Sequence, residues 1–332
     1  MDILLLGFIF GALLQSAKLN RFDTISGMAT LENLKVAKAI ALAIGAGVIL
    51  LNIEIGMGLA AYHIKPLLLG GIVLGGLIFG MGMAILGYCP GTVMVSAGEG
   101  SLDAIVGILG GLAGGLVYTL VLPAISSFLG PNVGTFSLYT ALGSSPLLFY
   151  SIMIICGLVF ASMAFLLQRM DKSPDRTWIF AGFGIAVLNT FVFHYADRPI
   201  GASTFFPYVS DNILGVVNND YFKQIVKPGS WEVLFLAGGL LSGFVLSLIR
   251  KDFKIRMIHA NWEKYKGSNF GKRAFWAFFG GFILIFGARM AGGCTSGHVI
   301  SGGMQLAASS LLFAVFVFAG LLLTGRFFYL KK

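Results

Sequence analysis

Long blocks without a single Asp, Glu, Lys or Arg dominate the chain, at residues 66–98, 104–168, 177–196, 233–249 and 290–325. A helix of about 20 such residues spans the hydrocarbon core of a bilayer. The blocks predict an all-α integral membrane protein with about nine transmembrane helices, at 3–17, 36–54, 66–86, 104–122, 146–168, 177–195, 232–249, 274–290 and 305–325. Several of these are short for a full crossing. The opening "MDILLLGFIFGALLQSA" carries an acid where a secretory leader has basic residues, so it reads as a retained first helix.

Two stretches far apart repeat one pattern: "GGLIFGMGMAILGYCPGTVMVSAGEG" and "GGFILIFGARMAGGCTSGHVISGG". Each has a Gly-Gly, an apolar helix with Phe-Gly, a Met, and a glycine-rich turn with one cysteine. A fainter echo relates "AKLNRFDTISG" to "ADRPIGAST". Self-similarity over this distance predicts a duplicated unit. The expected division is a first repeat at 1–145, a linking helix and loop at 146–176, and a second repeat at 177–332. An odd number of spans separates the two starts, so the repeats are expected to be inverted. The helix-breaking Gly/Cys turns then meet near the centre, "GYCPGT" from the inner side and "GGCTSGH" from the outer side. Bare backbone at that depth is tolerated only where protein or a water-filled cavity surrounds it.

Composition supports the membrane reading: 57% of the 332 residues are hydrophobic, 11% are charged, and the mean hydropathy is +0.88. A net charge of +9 raises the question of nucleic acid. Its distribution answers it, because Lys and Arg accumulate on the cytoplasmic side. With the N-terminus outside and the C-terminus cytoplasmic, most of the 23 fall on inner segments, among them Lys18, Arg21, Lys35, Lys38, Arg169, Lys172, Arg176, the cluster in 250–273, Arg326, Lys331 and Lys332. Outer segments keep Lys65, Arg198, Lys223 and Lys227. The basic balance is therefore topology in a bacterial inner membrane, with no nucleic-acid partner. Residues 250–273 alternate charged with aromatic and apolar positions and are expected to form a basic amphipathic helix on the inner leaflet.

The candidate chemistry lies in the two turns. Cys156 sits in a plain apolar helix and reads as a small hydrophobe. Cys89 and Cys294 occupy equivalent places in the two repeats, each where a helix is expected to begin. A helix N-terminus offers free N–H groups and partial positive charge to an anion, and lowers a thiol's pKa. Thr92, Thr295 and Ser296 add hydroxyls and His298 a further polar group, while Pro90, Gly91 and Gly297 shape the turns. Together they read as two half-sites for a small, soft anion. Arg289 lies inside the membrane zone, where an arginine needs an interior partner or cavity. Its candidate partners are Glu99, Asp103 and Asp23, in an ion pair, or the anion itself. Arg198, beside Asp197, is either a surface pair or part of an anion-collecting vestibule. Cys294 and His298 offer two metal ligands where a structural zinc site needs four. No Walker loop is present, and no cofactor is expected.

"GYCPGT" followed by "GEGSLDA", and "GARMAGGCTSGHVISGG", are similar to the paired signatures of the YeeE/YedE family of bacterial sulfur-compound transporters. The resemblance covers nearly the whole chain in the right order. It implies an hourglass-shaped inverted-repeat protein that passes thiosulfate through its centre by hydrogen bonds to cysteine thiols, with Cys89 and Cys294 as pathway thiols. The chain departs at "NRFDTISG", where Asp23, two residues after Arg21, stands in the place of a first relay cysteine. An anion would be repelled there unless Asp23 pairs with Arg21 or is protonated. That departure points to a two-thiol path or to another sulfur or selenium anion. Two other readings compete. One is a membrane sulfurtransferase, in which a cysteine thiolate, with His298 as its base, forms a persulfide for a soluble sulfur-carrier protein on the cytoplasmic side. The other is an accessory subunit without transport of its own.

Overall fold

The structure, a computed structural model, describes residues 1–138, 146–171 and 174–330. The expected repeat boundary at 145, and Lys172, Lys331 and Lys332 of the charge argument, lie outside the described residues. Thirteen α-helices are described: α1 (Asp2–Ser16), α2 (Phe22–Ala29), α3 (Lys35–Gly56), α4 (Leu69–Leu86), α5 (Pro90–Gly98), α6 (Leu102–Ile125), α7 (Pro146–Met170), α8 (Thr177–Ala196), α9 (Phe205–Leu214), α10 (Asp220–Ile249), α11 (Ala260–Lys266), α12 (Phe270–Met290) and α13 (Ala308–Thr324). A short π-helix, Thr295–Gly302, lies between α12 and α13.

Eight stretches among the described residues are long and apolar enough to cross a membrane. The ninth expected span, α1, has only 15 residues, about 22 Å at 1.5 Å per residue, against a hydrocarbon core of about 30 Å. Sequence patterning placed the seventh span at 232–249, but α10 starts at Asp220. Asp220, Lys223, Lys227, Pro228 and Glu232 hid its first three turns. The short helices α2 and α9 are also hidden, being too brief to give a hydrophobic period, whereas α5 begins at Pro90, where the turn after Cys89 predicts a helix start.

The segment 250–273 is not one amphipathic helix. Residues after α10 run without helix, Arg256 bridges to Ser101, Ala260–Lys266 forms a short helix, and α12 begins at Phe270. Asn261 then pins that turn to α2: its N–H donates to Asp23 Oδ1 at 2.8 Å and its amide reaches the Asp23 carbonyl and Ser26. Arg273, expected on the lipid surface, is fully buried.

Helix pairings come in exchanged twos. α1 packs on α10 and α3 on α8; α6 packs on α12 and α4 on α13. Among the short elements α5 lies on α10 and α9 on α6; the π-helix packs on α13 and also touches α3, and α2 touches α3, α4, α11 and α13. Glycines set the closest of these approaches. Gly7 and Gly238 put the backbones of α1 and α10 in direct contact, so a Cβ on Gly238 meets the Leu4 carbonyl and the Phe8 amide of the facing helix. Small residues are what allow such packing where lipid supplies no hydrophobic drive. Gly238→Val is expected to destabilise the fold by about 1–3 kcal/mol, the usual penalty for overpacking. Thermal unfolding in detergent checks this, with Gly271→Ala, at an open position, as the neutral control.

Candidate functional site: two cysteine turns on one cavity

Both turns follow from local chemistry. α4 ends at Gly87, which takes a left-handed φ of +79°, and Pro90 opens α5, so glycine closes one helix and proline starts the next. Cys89 is the N-cap between them. Its N–H donates to Thr92 Oγ1 at 2.8 Å, its sulfur accepts from the Thr92 backbone N–H, and the Thr92 hydroxyl lies 3.3 Å from Sγ. At the other turn Gly292 takes φ +74° and Cys294 is the N-cap of the π-helix, with Sγ 3.2 Å from Ser296 Oγ.

The two turns reach one cavity of about 60 Å³. At roughly 10–15 Å³ per water, it has room for a few waters or one small polyatomic ion. Cys89, Gly91 and Thr92 line it from one turn, Thr295 and Ser296 from the other, with Phe10, Leu14, Met83 and Ile185 among its apolar wall. No charged side chain is among the described residues lining it. Thr295 is 6% exposed, and its hydroxyl has no hydrogen-bond partner. A buried hydroxyl left in that state loses about 1–3 kcal/mol, which a ligand's acceptor atom would restore. Pro90 has no N–H and the Thr92 N–H goes to Cys89, so Gly91 is left with the one unclaimed N–H of that turn. With the unpartnered Thr295 hydroxyl it stands beside a space without a competing carboxylate.

The structure separates the remaining sequence candidates. Cys294 is buried and, unlike Cys89, is not among the residues lining the cavity: Thr295 and Ser296 line it, while Gly293 and Gly297 lie against Lys65 Nζ. Pro90 is buried at the start of α5. His298 turns away from Cys294, with Nδ1 2.9 Å from Ser310 Oγ and Nε2 2.8 Å from the Ala291 carbonyl, so it braces the π-helix and is not a base for the thiol. Cys156 is half-buried on α7, away from both turns.

Arg289 has none of its expected carboxylates. Its guanidinium donates to Tyr221 Oη at 2.7 Å, Thr204 Oγ1 at 3.1 Å and Ser203 Oγ at 3.2 Å, because "ADRPIGAST" and the start of α10 fold over the end of α12. Asp103 instead holds Arg273, at 2.5 Å, and Asp23 accepts from Asn261. Arg21 does not pair with Asp23 but with Asp252 at 2.7 Å; the three line a small polar pocket with Glu99, Arg256 and His259. Arg198 stacks on Trp231, 4.2 Å from the ring centre, and lies 3.7 Å from Glu232.

Sequence reasoning missed the residues that hold the Cys89 turn in place. Asp103 and Arg273, both fully buried, join Tyr88 and His259 in one cluster. Arg273 also donates to the Ile85 and Leu86 carbonyls, which the break at Gly87 leaves without helical partners. No local signal marks a pair 170 positions apart. The only hint was an acid at the start of α6 and a base at the start of α12.

A many-helix membrane protein with two helix starts on one cavity has the parts that a transporter needs. The chain matches the family model described as "Sulphur transport" over residues 21–323 and belongs to that family, the YeeE/YedE transporters. It is therefore a transport protein and not an enzyme. It is also 26% identical to the thiosulfate transporter TsuA of Spirochaeta thermophila, over 96% of this chain and 95% of that protein.

Proposed function

We propose that this protein takes up thiosulfate across the bacterial inner membrane, passing it from the Cys294 turn through the central cavity to the Cys89 turn. The observation that carries this reading is the convergence of both cysteine turns on one cavity without a charged wall. Likeness to a thiosulfate transporter over almost the full length supports the choice of anion. The chemistry agrees. Thiosulfate's terminal sulfur is large, polarizable and weakly hydrated, so a weak S–H donor offsets part of its desolvation without trapping it. Sulfate's harder oxygens lose more hydration than thiols return.

In this reading Cys89 and Cys294 donate to the passing anion, with Thr92, Thr295, Ser296 and the backbone at Gly91 and Gly297 around it. Arg21, Asp23 and Glu99 line the inner exit, and a soluble sulfur-carrier protein is the fitting acceptor there. The two halves, 1–145 and 177–332, form inverted repeats joined by 146–176, and the exchanged helix pairings support that symmetry. The distribution of basic residues supports an outer N-terminus and a cytoplasmic C-terminus.

A bacterial strain lacking its own sulfate and thiosulfate uptake systems tests the function. Expression of this chain is expected to restore growth on thiosulfate but not on sulfate as sole sulfur source. Equal rescue by both anions would contradict the selectivity argument. A C-terminal green fluorescent protein that glows, against an inactive C-terminal alkaline phosphatase, tests the orientation.

A further inference from the structure

Residues 57–68 join α3 to α4 as an extended strap across the outer face, tied down along its length. The Leu59 carbonyl meets His194 Nδ1 at 2.9 Å, Tyr62 bonds Asn52, and the His63 N–H donates to Gln305 Oε1 at 2.6 Å. His63 Nε2 lies 3.0 Å from Asp197, and the Lys65 carbonyl accepts from Ser309 Oγ at 2.8 Å. A backbone fixed on both sides aims the Lys65 side chain over the Cys294 turn. There Nζ donates to the Gly292 carbonyl at 2.7 Å and fills the space that side chains at 293 and 297 would take.

The charge around it is unbalanced. Among the described residues no carboxylate lies within 4.0 Å of Lys65 or Arg289. The nearby acid, Glu232, is committed to the Thr204 and Phe205 N–H groups, at 2.7 and 2.9 Å, and to Arg198. Lys65 thus stands on the Cys294 turn without an acid partner, and Arg289, close enough to act on its charge, has only hydroxyl partners. Two such cations match a doubly charged anion.

We infer that Lys65 is the outer gate and selectivity cation of the pathway: its ammonium exchanges the Gly292 carbonyl for an incoming dianion and delivers it to Cys294. This rests on the transport reading above. Burial holds the ammonium down at about 8, with Arg289 and Arg198 lowering it further and Cys294 and Glu232 raising it. The charge that attracts the anion is therefore present below about pH 8 and is lost above it. The strap itself carries His63, and the other titratable groups facing it are His194, Asp197, His298 and, through Arg289, Tyr221.

Uptake kinetics of radiolabelled thiosulfate in right-side-out vesicles test this. Lys65→Met is expected to raise KM about ten-fold or more at pH 7, the scale of one lost charge-assisted hydrogen bond, with the maximal rate nearly kept. Lys65→Arg is expected to keep KM within about three-fold. Wild-type KM is expected to rise between pH 7 and 9, whereas that of Lys65→Arg stays flat because its guanidinium does not discharge in this range. A wild-type KM in Lys65→Met, with Cys294→Ala inactive, overturns the gate and leaves the carrier standing. An equal pH slope in Lys65→Arg also overturns it and does not depend on how well Lys65→Met folds. Absence of wild-type uptake overturns gate and carrier together.

Discussion

Cys294→Ala and Cys89→Ala are each expected to lower thiosulfate uptake at least about ten-fold, while Cys294→Ser and Cys89→Ser keep a measurable part of it. The magnitude is that of one hydrogen bond to a charged partner, roughly 1.5–3 kcal/mol in a low-dielectric site. Alanine removes the donor and leaves nothing in its place. Serine keeps a donor at nearly the same point, but its smaller, harder oxygen reaches less far and prefers water. The serine result also separates hydrogen bonding from persulfide chemistry, because a hydroxyl cannot form a persulfide. Inactivity of both serine variants, in protein that folds normally, would therefore favour sulfur transfer. Cys89→Ala has a second cost: the Thr92 hydroxyl at the start of α5 loses the Cys89 sulfur, 3.3 Å away, as a partner. Folding must be measured beside flux for that variant. Cys156→Ala, with its half-buried thiol outside both turns, is expected to be neutral for transport.

Asp103→Asn is expected to destabilise the protein by about 3–5 kcal/mol, enough to lower its melting temperature sharply or to abolish the folded form. Asp103 and Arg273 are both fully buried, and Arg273 lies against the Phe22 and Trp262 rings at 4.4 and 4.7 Å. Removing one charge strands the other in an apolar interior. The double variant Asp103→Asn with Arg273→Met is expected to recover part of the loss, since replacing a buried pair by apolar groups is often tolerated. Recovery should remain incomplete, because Arg273 also holds the free carbonyls at the end of α4. Thermal unfolding in detergent decides this. A melting temperature unchanged in Asp103→Asn would mean that the cluster does not hold the Cys89 turn.

The membrane character and most span positions are legible because an uncharged run of helical length has one physical meaning in water. The cysteine turns are legible too, since glycine, proline and cysteine punctuate otherwise unbroken apolar blocks. What fails is anything decided between distant segments. Arg289 invited the nearest acids in sequence, yet hydroxyls from Ser203, Thr204 and Tyr221 surround it. Arg273 counted as a lipid-facing charge, yet its partner sits 170 positions away. Lys65 counted only toward topology, although the strap aims it over Cys294. Local patterns report how a segment meets its solvent, whether water or lipid. They do not report which polar groups meet inside.

The most direct test is uptake of radiolabelled thiosulfate into proteoliposomes containing this chain alone, with excess unlabelled sulfate as competitor. The account predicts entry that sulfate barely slows, and a sharp loss in Cys294→Ala. No entry into vesicles holding folded wild-type protein would contradict it.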